Sequence, residues 1–333
     1  MIRDKILFAT LVFTFLAIIM WTSYSMNNDE KEEESYRISV IVNDSNNDRW
    51  IALRQGLEQA AKDCNADLNY VSTGRLESAE EEIALINREL ENGAQGIIVQ
   101  MITSEENVMQ MMNTTVKPAL MLLESDIKPE NQYGLAGPDN REIGRAAADA
   151  VKRDFDKEID GKRIGILSGN HNRLSMQQRL EGLKEGLEDV TVTIAWEHSH
   201  GESMDEEYLE QFEQLEPVDI LIALENDETE RMVDFMLEQP DSEEENDTED
   251  VEKLCLYGVG YSEKAVYYLD KGVITTLVVP NEFNLGYQSM KSVVNQLKYH
   301  LDKAEDSQID YLVIDSVNMY DEENQKVLFP IVQ

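Results

Sequence analysis

The chain has 333 residues, enough for two lobes of ordinary domain size rather than one small core. It carries 29 Lys and Arg against 67 Asp and Glu, a formal net charge of −38. A surface that acidic repels phosphate backbones and speaks against nucleic acid as a partner, while 42% apolar residues exclude disorder of the whole chain.

Arg3 and Lys5 precede an uncharged apolar run from Ile6 to Trp21. Sixteen to twenty residues at about 1.5 Å each reach roughly 24–30 Å, the depth of a bilayer core. Trp21 and Tyr24 stand at the outer end, where amphipathic rings anchor at the interface, and the positive flank stays inside. The expectation is a membrane anchor within residues 1–26 and an extracytoplasmic body. A signal peptide cleaved at Ser23-Tyr24-Ser25 is the alternative, leaving the body secreted or periplasmic. No cysteine lies nearby, so a lipid-modified N-terminus is excluded. Residues 27–36 are rich in acids and read as a solvated tether.

From Arg37 onward, short β-branched runs alternate with helical periodicity. Ile38–Val42 reads as a buried strand, and Leu53, Leu57, Ala60 and Ala61 mark one face of the helix after it. Leu68–Val71, Gly96–Val99 and Ala119–Leu123 are further strands, with a helix through Ile83, Ile86 and Leu90 that stops at Asn92-Gly93. After Pro138 the pattern restarts. A helix from about Asp139 to Phe155 is followed by strand Arg163–Leu167, helix Leu174–Leu187, and strands Val190–Trp196 and Asp219–Ala223. Helix Glu228–Leu237 and strands Leu254–Val259 and Val273–Val279 complete it. Repeated βα alternation predicts parallel sheets with helices on both faces, in two Rossmann-like doubly wound lobes around a cleft. Glu238 to Glu252 holds nine acids in fifteen residues, so it cannot help bury a core and reads as a mobile surface insertion.

Catalytic and metal signals are poor, and the chain does not read as an enzyme. Cys64 and Cys255 are far apart in sequence and form no C-x-x-C, so they read as isolated packed thiols and structural zinc is unsupported. His198-Ser-His200 lacks a third ligand at a usual spacing and reads as an exposed loop. No Walker sequence, G-x-S-x-G or H-E-x-x-H occurs, and Gly258-Val-Gly260 lacks the third glycine of a dinucleotide loop. Asp44-x-Asn46-x-Asp48 opens like a calcium loop, but Arg49 replaces the required glycine and Gln55 the twelfth-position Glu. No cofactor or metal is expected.

Polar groups at strand C-termini remain, where open α/β sheets bind ligands. These are Asn43–Trp50, Glu124-Ser-Asp126 and Ala223–Asp227. Helix capping accounts for Asn47, Asp139 and Asn226 singly, and less well for the whole set beside Trp50 and Arg179.

The segments Ile38–Trp50, Gly137–Gly144, Ser175–Leu183 and Ile222–Asp227, followed by Tyr257–Gly260 and Asn281–Tyr287, resemble those of type I periplasmic binding proteins. The ribose- and galactose-binding proteins belong to that family, and lac-repressor-type sensor domains share its fold. The resemblance runs from Arg37 nearly to the C-terminus. It implies three crossings between lobes, with lobe one at 37–138 plus 281–311 and lobe two at 139–280 plus 312–333. It also implies a sugar held by aromatic stacking and by Asp, Asn and Arg side chains, whose forked geometry matches vicinal diols. The matching positions are Asn47, Arg49, Trp50 and, more loosely, Glu124 in lobe one, with Arg179, Asn226 and Asp227 in lobe two. Asp139, at the start of lobe two, joins them as a candidate.

Three departures stand out. Arg49-Trp50 replaces an aromatic pair, Gly260 replaces the usual Asp, and Pro280 replaces the usual Gln. They imply an altered ligand or a pocket that has lost binding. The expected function is an exported, membrane-tethered solute-binding protein, for an ABC permease or a sensor histidine kinase. Alternatives are an accessory protein with a degenerate pocket and, less well supported, an extracellular enzyme or a transcription repressor. The repressor is opposed by an apolar segment where a basic helix-turn-helix would stand.

Overall fold

The computed structural model describes residues 10–22, 35–106, 108–111, 118–201, 215–238 and 254–329. Contacts divide the chain into two units, Met1–Ser35 and Tyr36–Gln333. In the first, residues 10–22 form a helix whose apolar side chains, Phe13, Phe15, Met20 and Trp21 among them, are exposed. Among the described residues no helix is long and apolar enough to cross a membrane, so the expected Ile6–Trp21 span finds no support there. The predicted run begins before the described helix does. The acidic insertion, apart from Glu238 at the end of the preceding helix, lies outside the described residues.

Among its described residues the second unit holds two six-stranded sheets. In chain order the first lobe has β1 (Tyr36–Ile41), β2 (Ala66–Tyr70), β3 (Gly96–Val99), β4 (Ala119–Leu123) and β5 (Gly134–Gly137). The second has β6 (Arg163–Asn170), β7 (Thr193–His200), β8 (Ile220–Ala223), β9 (Cys255–Val259) and β10 (Ile274–Pro280). Two late strands, β11 (Ser307–Gln308) and β12 (Tyr311–Asp315), complete the sheets, whose orders are β11-β5-β4-β3-β1-β2 and β12-β10-β9-β8-β6-β7. The orders correspond strand for strand. All pairings are parallel except β10 with β12, where Pro280 faces Tyr311. The expected doubly wound α/β architecture with two lobes is therefore present.

Strand residues alternate between two cores because successive side chains point to opposite faces. Ile98, Met121 and Leu123 pack under α1 (Ile51–Cys64) and α7 (Glu282–Tyr299), while Ile97, Val99, Leu120 and Leu122 pack under α2 (Ala79–Glu91). In the second lobe Ile164, Ile166, Ile220 and Ile222 face α3 (Asn140–Phe155) and α4 (Leu174–Gly186). Leu221, Ala223, Leu277 and Val279 face the other side, towards α5 (Asn226–Glu238) and α6 (Glu263–Asp270). A short α8 (Glu322–Leu328) ends the described chain. The backbone passes from one sheet to the other after Gly137, after Pro280 and after Gln308, since α7 packs into the first lobe's core.

Two features position the cleft. A 3₁₀ turn, Asp48–Trp50, leads directly into α1 and delivers Arg49 and Trp50 to the end of β1. The helices α3 and α4 cross so closely that a Cβ on Gly144 would lie 1.9 Å from the Arg179 carbonyl oxygen, and one on Gly182 equally close to that of Arg141. Only glycine allows that approach, which fixes the height of Arg179 against Asn140.

Several elements differ from the sequence reading. β5, β11 and β12 escape it: β5 and β11 are short, whereas β12 carries an apolar run, residues 311–314, and was legible. The strand expected at Val190–Trp196 is β7, shifted to Thr193–His200, so His198 and His200 lie in a strand, not in an exposed loop, and His200 is buried. Cys64 and Cys255 are half-buried and form no disulfide with one another. Among the described residues no group of three or more His, Cys, Asp or Glu is placed to hold a metal ion.

Candidate functional site

The strand C-termini of both lobes meet at a polar cavity of about 40 Å³. Asn43, Asn47, Arg49, Trp50, Arg75 and Gln100 line it from the first lobe, with Asn170, Arg173, His200, Glu225 and Asp227 from the second.

Glu124 does not line the cavity but holds three side chains that do. It follows β4 and holds φ +62°, a left-handed backbone conformation that costs a non-glycine residue about 1–3 kcal/mol. Its carboxylate accepts from Arg49 at 3.1 Å, from Arg173 at 3.0 Å and from the Gln100 amide. Burial pushes the Glu124 carboxyl up, but Arg49, Arg173 and Arg179 outweigh that and bring it down to about 2. Arg173 also donates to Glu225 at 2.6 Å, making one guanidinium the bridge between carboxylates of the two lobes. Burial would raise Glu225 too, yet Arg173 foremost holds it below the ordinary carboxylate range. Burial lowers the His200 imidazole, against the pull of Glu225, so it stays neutral near pH 7.

A second chain of bonds runs behind the cavity. Asn140 Nδ2 donates to the Glu124 carbonyl at 2.7 Å, its Oδ1 accepts from Arg179 Nε at 2.9 Å, and Arg179 also donates to the Leu224 carbonyl at 2.9 Å. Glu282, the first residue of α7, is buried near Glu124, and its Oε2 has no hydrogen-bond partner among the described residues. Burial, and then repulsion from Glu124, raises it to about 8 despite Arg49 and Arg179.

The residues expected from the sequence divide accordingly. Asn47 caps the 3₁₀ turn through Arg49 N at 3.0 Å and also lines the cavity. Arg49 lies 4.0 Å from the centre of the Trp50 ring, and Trp50 is packed into the first lobe's core with Nε1 donating to the Asn43 carbonyl at 3.0 Å. Trp50 is therefore not a bare stacking platform. Asp227 lines the cavity and pairs with Arg75 across the cleft at 3.3 Å. Arg179, expected as a ligand-binding residue of lobe two, does not line the cavity, because Asn140 and Leu224 hold it behind the wall. Asn226 is buried outside the cavity, bonded to Glu230 at 3.2 Å. Asp139 caps α3 through Arg141 N and Glu142 N and faces a separate surface depression.

Arg173, Glu225, Gln100 and Asn170 were not singled out from the sequence. Reading the strand as ending at Leu167 leaves Asn170 and Arg173 in an ordinary turn, whereas β6 runs to Asn170 and Arg173 leads straight into α4. Glu225 lies inside the Ala223–Asp227 segment, one residue before the positions that the resemblance matched. Gly260 has φ +118°, and a Cβ there would lie 2.7 Å from that of Asn226, so the departure at this position matches the space available.

A family described as the periplasmic binding protein domain matches residues 38–301. Comparison with curated proteins gives no match. Among solved structures, a carbohydrate-transporter solute-binding protein from Agrobacterium radiobacter in complex with D-arabinose is similar at 15% identity and TM-score 0.73, covering 89% of this chain and 100% of that one. The Caulobacter myo-inositol binding protein, bound to myo-inositol, is similar at 17% identity and TM-score 0.69, covering 90% and 100%. The XylFII protein in the XylFII–LytSN complex is similar at 17% identity and TM-score 0.66, covering 85% and 99%.

Proposed function

The chain belongs to the periplasmic binding protein family, and from that premise we propose that it captures a small polyhydroxylated solute, a sugar or sugar derivative, between its lobes. The observation that carries this reading is the convergence of Arg49, Gln100, Asn170, Arg173, Glu225 and Asp227 on one cavity at the strand C-termini. Forked cations, carboxylates and amides in one place supply the paired donors and acceptors that vicinal hydroxyls need. Similar structures holding D-arabinose and myo-inositol support a polyol.

We further propose that the body is exported and tethered by its N-terminal apolar run, delivering the solute to an ABC permease or reporting it to a sensor kinase. The XylFII–LytSN complex of a similar structure supports a protein partner. Cell fractionation followed by N-terminal sequencing tests the tether, and a soluble product beginning at Met26 overturns it.

A cavity of about 40 Å³ favours a second reading. Ligand pockets ordinarily span roughly 300–1,000 Å³, so a protein whose pocket has degenerated and which acts through protein contacts also fits. Calorimetric titration with a panel of sugars, polyols and sugar acids separates the two. Saturable heat with any of them supports capture, and silence across the panel supports the degenerate pocket.

A further inference from the structure

The bonds that join the lobes are supplied by the protein itself. Helix α4 has no side-chain cap from Arg173, the residue preceding it. Its first amides are capped instead from the opposite lobe. Leu174 N donates to Ser104 Oγ at 2.9 Å and Ser175 N to Ser125 Oγ at 3.1 Å.

The two hydroxyls form a consistent relay. Ser104 Oγ donates to the Asp126 carbonyl at 2.5 Å, which leaves Ser125 as the donor in the 3.0 Å contact between them. Ser104 N bonds to the Asn172 carbonyl at 2.9 Å, and Asn170 Nδ2 to the Ile102 carbonyl at 2.7 Å. Unsatisfied amides at a helix start need such acceptors, and a cap contributes about 1 kcal/mol. Here that stabilisation is available only while the lobes are together.

Arg173 completes the seam. Its guanidinium is almost fully buried and reaches Glu124 of lobe one at 3.0 Å and Glu225 of lobe two at 2.6 Å. A bridging donor of that kind is what a bound solute would otherwise provide. At the other side of the cleft, Glu263 N donates to Asp48 at 3.2 Å and Arg75 pairs with Asp227.

We propose that Arg173 is a built-in occupant of the cleft, which together with Ser104 and Ser125 holds the lobes closed when no solute is bound. The proposal deepens the capture reading and, for its consequence on solutes, rests on it. A solute must displace Arg173, and it must bring a hydrogen-bond donor for Glu225, whose buried carboxylate loses its Arg173 partner while Glu124 keeps Arg49 and Gln100. That selects polyols and amino sugars over solutes that carry only acceptors.

The test measures lobe separation on the full chain by pulsed dipolar spectroscopy. Spin labels are placed at Glu77→Cys in lobe one and Asp234→Cys in lobe two, both exposed, with Cys64→Ser and Cys255→Ser to remove the native thiols. Without solute, the closed distance is expected for otherwise unmodified protein, and Arg173→Ala is expected to shift the population to longer distances. The Ser104→Ala/Ser125→Ala double variant shifts it the same way and decides the matter where Arg173→Ala fails to fold by circular dichroism. An open distance in the solute-free protein, or folded variants that both remain closed, overturns the proposal. Titration with D-arabinose, D-glucose and myo-inositol is read separately: a closed solute-free protein that binds none of them leaves the latch standing and removes the capture reading.

Discussion

Arg179 donates from Nε to the side-chain carbonyl of Asn140 at 2.9 Å, and both residues are buried behind the cleft. Asn140 in turn holds the Glu124 carbonyl at 2.7 Å, so this pairing ties α4 and α3 to the end of β4 in the other lobe. Burial, and repulsion from Arg173 and Arg49, lowers the Arg179 guanidinium from its ordinary value against the attraction of Glu124 and Glu225. Such a residue supports the wall and does not touch what the wall faces. Arg179→Ala removes two charge-assisted bonds and leaves the Leu224 carbonyl and the Asn140 amide oxygen without their donor. Bonds to charged groups contribute about 1.5–3 kcal/mol each, so a loss of roughly 3 kcal/mol is expected in chemical denaturation. An unchanged midpoint would return Arg179 to the ligand surface.

Trp50 carries a similar expectation. Its ring is 2% exposed, packs with Leu53, Leu57 and Leu285, and is covered on one face by Arg49. Aromatic-to-alanine truncation in a core costs about 3–5 kcal/mol. Trp50→Ala should therefore lower stability by that amount, whereas Trp50→Phe should lose less because most of the apolar contact survives. Equal melting temperatures for Trp50→Ala and the parent chain would show the ring to be peripheral.

The lobes were legible in the sequence because parallel strands covered on both faces leave continuous apolar runs, as in Ala119–Leu123 and Ile220–Ala223. The late strand Ser307–Gln308 was not, since it is two residues long and carries no apolar pattern. Within the site, the ends of β1, β4 and β8 could be located from those same runs. Which side chain at each end turns inward could not, because that depends on long-range contacts. Arg173 and Arg179 are six positions apart near one helix start, and only the crossing of α3 on α4 sends the second behind the wall. Asn47 and Asp139 resemble one another as caps, yet one lines the cavity and the other a separate depression.

Restoring the acid that the family resemblance expects at Gly260 should harm the fold. The residue sits at φ +118°, and its Cβ would lie 2.7 Å from that of Asn226 and 3.0 Å from its Cα. Strained backbone of this kind costs about 1–3 kcal/mol before any clash is counted. Gly260→Asp is expected to lower the thermal midpoint, and adding Asn226→Gly should recover part of the loss by opening the space. A Gly260→Asp protein as stable as the parent would mean that the turn reshapes freely.

The buried carboxyls make stability depend on pH in two opposite windows. Glu282 rises from 4.5 to about 8, through burial and then the neighbouring Glu124 carboxylate. Between those values the native state keeps a proton that the unfolded chain has released, so stability falls as pH rises. Its contribution is complete below about 4.5 and lost by about 8. Glu124 moves the other way, from 4.5 to about 2, because Arg49, Arg173 and Arg179 outweigh the effect of its burial. There the unfolded chain holds the extra proton, so stability is complete above about 4.5 and lost as pH falls through about 2. Glu282→Gln keeps the side chain's shape without a titrating proton and should remove only the upper window. Its denaturation midpoint is expected to track that of the parent near pH 5 and to exceed it increasingly towards pH 8. Glu124→Gln should instead be less stable than the parent throughout the neutral range, because Arg49 and Arg173 then lose their shared charge. Parallel stability curves for Glu282→Gln and the parent between pH 5 and 8 would show that Glu282 is ionised in the native state.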